Sequence, residues 1–382
     1  MKTLNLGILA HVDAGKTSLT ERLLHHAGVI DAVGSVDDGS TRTDSLALER
    51  QRGITIKSAV ASFALGDVTV NLIDTPGHPD FIAEVERVLN VLDGAVLVVS
   101  AVEGVQAQTR VLMRTLQRLR IPTLLFVNKT DRAGAAYERV LHGIATKLTP
   151  AALSLTAAHS LGTPEARSEP YGPGDDGFTA RLLGLLADHD DALLAAYVDD
   201  ERSLPYARLR AELAAQTRDA RVHPVFSGSA ITGAGVPALA AGIAELLPAA
   251  EGDAHGPVSG TVFKVERGPA GEQIAYVRMF TGTVRIRDRL PFGEGRRARS
   301  LRYACSRTVR TRRGTPCPRG TSRDCGGSAA SASATRSANP ATRPGTAGTS
   351  HRRRWRPSSR PAARPTGARC TWRSPSSRSR TR

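Results

Sequence analysis

"AHVDAGKTS", residues 10–18, decides the fold. An apolar run, "NLGILA" (5–10), leads into it, and a helical pattern from about 15 to 27 leads out. A strand, a tight turn and a helix in that order point several backbone N–H groups at one spot and add the positive end of a helix dipole, so the turn favours phosphate. Lys16 can reach the β and γ oxygens, Thr17 offers a hydroxyl to Mg2+, and Asp13, Ala14, Gly15 and Ser18 supply the rest of the cradle. Ala10 stands where the phosphate-loop pattern has its first glycine. In isolation Gly-Lys-Thr is a weak signal, because a turn capping a helix reads the same way.

Outward from this stretch the same rhythm repeats. "VTVNLID" (68–74), "AVLVVSA" (95–101), "PTLLFVNK" (122–129) and "HPVFSGSA" (223–230) are apolar, β-favouring runs. Helical patterns follow them at about 79–92, 106–119, 136–147 and 236–247. Alternating β and α units predict an α/β fold, a doubly wound and mostly parallel sheet with helices on both faces. Phe81, Val85, Val88 and Leu92, like Leu19 and Leu23, recur at helical spacing and are read as core.

Each strand's end then carries chemistry. Asp74 closes one strand beside the expected Mg2+, and Gly77 in "DTPGH" (74–78) lets a bare backbone N–H approach the γ-phosphate. "NKTD" (128–131) suits guanine: Asp131 accepts from the base, Asn128 ties the loop together, and the Lys129 stem lies along the ring face. An acceptor left unpaired by adenine can discriminate by roughly 10⁴-fold. "GSA" (228–230) offers backbone N–H from Ser229 and Ala230 to guanine O6. Alone, Asp-Thr-Pro-Gly is a turn and Asn-Lys-Thr-Asp a cap. Their joint order, each at a strand's carboxyl end where doubly wound sheets bind ligands, predicts a P-loop GTPase domain binding GTP or GDP with Mg2+.

The motifs also carry a family resemblance. "AHVDAGKTSLTERLL", "RGITI" (52–56) and "DTPGH" resemble translational GTPases of the elongation factor G type. "GSVDDGSTRTDSLALERQRGITI" (34–56) is closer to the tetracycline-resistance ribosomal protection proteins, in particular their actinomycete oxytetracycline-resistance branch. The likeness covers residues 1 to about 290. It implies that Thr55 is a switch residue bound to Mg2+ and the γ-phosphate in the GTP state, and that His78 aligns the attacking water. Lys16 and Thr55 act with His78 in catalysis, Thr17, Thr55 and Asp74 form the metal set, and Val12 belongs to an apolar gate beside His78. The implied partner is the ribosome with rRNA contact, and the implied activity is GTP hydrolysis coupled to release of tetracycline. An elongation factor G-like translocation factor is the near alternative.

The domain limits follow. Residues 1–250 are expected to form the GTP-binding domain, with a subdomain inserted at about 151–222 where the βα rhythm breaks. Residues 256–293 begin a β-barrel domain, since "GTVFKVE" and "IAYVRMFTGTV" alternate as antiparallel strands do. The barrel is left incomplete.

Composition divides the chain at the same place. The net charge is +16 over 382 residues, but 296–382 hold 23 arginines, no lysine and one acid, Asp324, so that segment carries +22 and the rest −6. All four cysteines and both tryptophans lie there too. Its five large apolar side chains, Leu301, Tyr303, Val309, Trp355 and Trp372, cannot offset the entropy of ordering 87 residues. Residues 294–382 are therefore expected to be a disordered Arg-rich tail. Its residue types favour GC-rich codons, which suggests an out-of-frame reading that begins near 291–303. Two alternative functions rest on this tail: an RNA-binding module gripping phosphate through arginine, or a truncated product without activity. The cysteines show no CxxC pair, which argues against a zinc knuckle. With no thiol in the body, no signal peptide and no long apolar span, the expectation is a cytoplasmic monomer without membrane contact.

Overall fold

A computed structural model describes residues 2–34, 59–74, 88–190, 193–195, 205–249, 252–267, 273–285, 288–292, 296–305 and 329–334. The first strand, β1 (Lys2–Ala10), is buried along nearly its whole length and feeds helix α1 (Lys16–His26). An antiparallel hairpin, β2 (Ala59–Leu65) and β3 (Val68–Asp74), turns at Gly66 and Asp67, with Gly66 in the left-handed region. Three βα units continue: β4 (Gly94–Ser100) with α2 (Ala107–Arg118), β5 (Thr123–Asn128) with α3 (Tyr137–Lys147), and β9 (His223–Ser227) with α6 (Val236–Leu246). Between α3 and β9 lie β6 (Ala152–Ser154), β7 (Thr156–His159), β8 (Arg167–Pro170), α4 (Asp176–Ala187) and α5 (Tyr206–Arg218).

The main sheet has seven strands in the order β2-β3-β1-β4-β5-β9-β6, parallel except for β2. Two apolar layers sandwich it. Leu4, Leu6 and Ile8 of β1 and Val96 and Val98 of β4 face Leu19 and Leu23 of α1 together with Leu182, Leu209 and Ile243. Leu9, Leu97 and Val99 face the opposite way, toward Leu112, Met113 and Leu116 of α2 and Val140 and Ile144 of α3. Each such side chain contributes about 1.5–3 kcal/mol on burial, so both faces must stay covered and the strands read as continuous apolar runs.

The 151–222 segment is built into this sheet. Its first strand, β6, runs parallel to β9 and becomes the last strand of the sheet, while β7 and β8 form a separate antiparallel pair. Amide His223 N donates to Ala151 O and Leu155 N to Val225 O, both at 2.8 Å. Beside them Thr156 and Ser227 share a buried hydroxyl contact at 2.9 Å.

A second sheet of five strands, order β10-β11-β14-β13-β12, follows, with β10 (Ser259–Arg267) and β11 (Gln273–Thr281) antiparallel. Phe263 of β10 is buried in the α2–α3 layer of the first domain, with Tyr276 packed beside it. Arg278 of β11 crosses to the first domain: Nη1 donates to Val91 O at 2.7 Å and Nη2 to Asp93 Oδ1. Asp93 Oδ2 in turn accepts from the Asn5 amide at 2.8 Å and its carboxamide at 2.7 Å. Asn5 Oδ1 accepts from Asn71, and Asn71 Oδ1 from Ser62, so a polar line crosses β1, β3 and β2 inside the apolar core. Buried polar groups stand this way only when paired.

The remaining strands are β12 (Arg289–Phe292), β13 (Arg296–Cys305) and β14 (Ala329–Ala334). β14 pairs with β11 and β13, and β13 with β12, all antiparallel. An antiparallel ladder is made by backbone N–H and C=O groups and needs no large apolar side chains. "RRARSLRYAC" and "AASASA" contain no proline to interrupt one. Residues 306–328 and 335–382 lie outside the described residues, as does most of the helix expected at 79–92.

Candidate nucleotide-binding site

Loops leave the carboxyl ends of β1, β4, β5 and β9, neighbours in the sheet, and converge on one edge. The first turns sharply. Asp13 has φ 63° and Gly15 φ 89°, and Ala14 N returns to His11 O at 3.3 Å. Gly15 has a second reason to be glycine, because a Cβ would overlap the Asn128 carboxamide. Lys16 and Ala14 are buried, Thr17 and Ser18 lie half-buried at the start of α1, and Val12 is exposed.

Asn128 joins three loops. Its Nδ2 donates to Ala14 O at 2.8 Å, and its Oδ1 accepts from Ala230 N at 2.9 Å. The phosphate loop, NKTD and GSA are thereby brought to one place. After it, Lys129 takes φ 67°, a costly conformation for a lysine, and the turn lets Thr130 N reach Gly228 O at 3.2 Å. Asp131 Oδ1 is buried and accepts no hydrogen bond from any described residue. An orphaned buried carboxylate oxygen is costly unless a ligand donor meets it, and the adjacent N1–H and amine of guanine are such donors.

The 228–234 loop is closed by hydrogen bonds of its own backbone. Gly228 N donates to Val127 O, Ser229 N to Ala234 O and Ala230 N to Asn128 Oδ1, each at 2.9 Å. These amides close the loop, because a short buried turn must pair its own N–H groups. Ser229 Oγ accepts from Ile231 N and Thr232 N, both at 3.2 Å.

Three more residues of the site went unnoticed in the sequence. Arg22 of α1 donates through Nε to Ala230 O at 2.9 Å and through Nη2 to Ile231 O, locking the helix of the phosphate loop to the guanine end. Glu103, after β4, accepts from Lys129 Nζ at 3.1 Å. His11 is buried in the phosphate loop with Nδ1 3.1 Å from Thr109 Oγ1 and no partner for Nε2 among the described residues. A charged residue three positions beyond a strand's apolar end was the only available signal for Glu103. Burial lowers the His11 pKa, outweighing the attraction of Glu103 and Asp13, so the ring is neutral near pH 7. Burial alone pushes the Glu103 carboxyl upward, but the Lys129 hydrogen bond and charge, with lesser help from His11, bring it below its ordinary value.

Thr55, Gly77 and His78 lie outside the described residues, and Asp74 is described as the backbone end of β3. The described part fits a guanine nucleotide at both ends, with a buried lysine and a hydroxyl at the phosphate loop and an unsatisfied carboxylate at the base loop. Thr17 is the metal ligand this part can supply. Among the described residues there is no cluster of His, Cys, Asp and Glu able to hold a metal ion, and no helix long and apolar enough to cross a membrane.

Comparison with known proteins agrees with this geometry. Residues 1–249 match the family model of the elongation factor Tu GTP binding domain. An oxytetracycline resistance protein of Streptomyces rimosus is 63% identical over 289 residues, covering 75% of this chain and 44% of that protein. The tetracycline resistance protein TetM of Streptomyces lividans is 55% identical over 298 residues, 76% of this chain and 46% of that one. A crystal structure of a Thermus thermophilus protein superposes with TM-score 0.71 at 26% identity, covering 87% of this chain and 52% of that chain. The chain thus spans less than half the length of the curated relatives it matches.

Proposed function

The chain belongs to the elongation factor Tu GTP-binding domain family, and on that premise we propose that it binds GTP and GDP with Mg2+ and hydrolyses GTP on the ribosome. The buried, unpaired Asp131 Oδ1 carries the guanine reading. Adenine presents an acceptor where guanine presents N1–H, so the wrong base leaves this oxygen unsatisfied. Asn128 holds the phosphate and base loops in register, and Ser229 and Ala230 act by shaping the loop beside the base.

At the phosphate end Lys16 offsets the charge of the β and γ oxygens, and Asp13, Ala14, Gly15 and Ser18 line the loop. Thr17, Thr55 and Asp74 would hold the metal, which when bound neutralises charge developing between the β and γ phosphates. Gly77 admits the γ-phosphate, and His78 aligns the water that attacks it. Hydrolysis in this reading depends on positioning and electrostatics, with no covalent intermediate on the chain.

The similarity to the oxytetracycline and TetM resistance proteins favours a ribosomal protection factor over a translocation factor as the context. The test is direct. The purified chain should bind fluorescent GDP at millimolar Mg2+ with at least 10³-fold preference over ADP, by the order-of-magnitude logic of an unpaired buried acceptor, and ribosomes should raise its GTP turnover. Equal affinity for ADP would overturn the guanine assignment, and GTP turnover indifferent to ribosomes would overturn the partner.

A further inference from the structure

The turn after β4 is held more firmly than a surface turn requires. Ser100, fully buried, accepts through its hydroxyl from Val102 N at 3.2 Å and Glu103 N at 3.3 Å, and its carbonyl accepts from Gly104 N at 2.9 Å. From outside, Gln106 Nε2 donates to Glu103 O at 2.8 Å and Arg139 Nη2 to Val102 O at 2.9 Å. The turn is also tied to the base loop, since Ala101 N donates to Asn128 O at 2.7 Å. Glu103 is thus presented from a clamped backbone, and its Oε1 lies 3.1 Å from Lys129 Nζ.

The two partners differ in exposure. The Lys129 side chain is 10% exposed and that of Glu103 41%, so the ammonium is enclosed while the carboxylate spans the boundary with solvent. A lysine left to itself would spread over many rotamers and avoid burying its charge. Here the left-handed backbone aims the start of the stem and Glu103 holds its end. The four methylenes between are thus anchored at both ends, in the same loop as Asp131.

We propose that Glu103 is a positioning residue for guanine nucleotides, fixing the Lys129 ammonium so that the lysine stem is already laid out as a platform for the base before the nucleotide arrives. The idea rests on the guanine reading of the site. Its energetic basis is preorganisation: ordering a long, charged side chain costs binding energy unless the free protein has already ordered it. GDP and GTP should benefit equally, because Glu103 acts at the base end.

The experiment uses the full chain and fluorescent GDP, with Glu103→Gln, Glu103→Asp, Lys129→Met and the Glu103→Gln/Lys129→Met double variant, each checked for an unchanged melting transition. Glu103→Gln is expected to weaken GDP and GTP alike by about 10-fold, mostly through faster release, the range for a partly buried ion pair. Glu103→Asp should bind more tightly than Glu103→Gln, since it restores the charge. In the Lys129→Met background, which keeps an apolar stem without the ammonium, Glu103→Gln should change affinity less than about twofold, as coupling between contacting partners requires. A residue that only stabilised the turn would cost the same in both backgrounds. That result, or an unchanged affinity in Glu103→Gln alone, overturns the proposal. If Lys129→Met does not fold, the comparison of aspartate with glutamine decides, and aspartate binding no better than glutamine overturns it. Wild-type protein that binds GDP no better than ADP would overturn the guanine reading itself, which the variants do not address.

Discussion

Replacing Gly228 with alanine should disable the guanine end of the site through backbone contact alone. Gly228 follows β9, and a Cβ there would overlap the carbonyl oxygen of Ala234 and come within 3.0 Å of the Phe126 ring. The loop returns across its own start at this point, so the obstacle is main chain and cannot rotate away. The Ala234 carbonyl would have to retreat by on the order of 1 Å to reach ordinary contact. That breaks the bond from Ser229 N to Ala234 O at 2.9 Å and strains the one from Thr130 N to Gly228 O at 3.2 Å. Each buried bond lost with its donor left unpaired costs about 1–3 kcal/mol, and forcing a methylene into a packed site costs about 1–3 kcal/mol more. A total of about 2–6 kcal/mol follows. Denaturant midpoints measure the stability loss, and fluorescent GDP measures the loss of affinity. Gly184→Ala is the matched control: Gly184 lies within α4 with nothing near its missing Cβ, so alanine should stabilise by about 0.5–1 kcal/mol. Equal midpoints for Gly228→Ala and wild type would refute the reasoning.

Mild acid should destabilise the protein. His11 and His223 have pKa values lowered from 6.5 chiefly by burial, the latter despite its contact with Thr123 O. The unfolded chain therefore takes up protons that the folded one refuses. Their contribution is intact above pH 6.5 and is lost as pH falls from there through the folded pKa values; urea titrations at pH 7.5 and 5.5 should show the lower midpoint at 5.5, and equal midpoints would contradict it. Asp93→Ala should release the second sheet, because it strips Arg278 of its carboxylate and Asn5 of two bonds. A cost of about 2–4 kcal/mol is expected for an enclosed charge pair of this kind, with hydrogen exchange in 259–281 accelerating; unchanged exchange there would mean that Phe263 alone holds the sheet.

What could be read in advance depended on distance along the chain. Asp13 to Ser18 and Asn128 to Asp131 are local strings, and each string's chemistry sits within one turn of backbone. The sheet was legible for a related reason, since strands buried on both faces must be apolar throughout. Arg22 meets the carbonyl of Ala230 208 residues away, and Arg278 meets Asp93 across 185. No local period encodes such pairings, and an arginine on a helix reads as a solvated face. Glu103 and Lys129 are 26 residues apart and meet only because β4 and β5 are neighbours. For Ser229 and Ala230, the orientation of the amides depends on how the loop closes at Ala234, which no local string encodes. In the Arg-rich segment, composition counts side chains, whereas the pairing of β11 with 329–334 is made by backbone and leaves no local string.

The manner in which 151–222 is joined to the molecule limits how the protein could be made smaller. An engineer trimming the chain to its minimal nucleotide-binding portion would remove β6 along with the helices, because the strand opens the very segment that looks expendable. β9 would then end the sheet with a naked row of amides and carbonyls, an invitation to another copy to zip alongside. A workable miniature would retain residues 152–154, or substitute a charged, proline-bearing fringe for them.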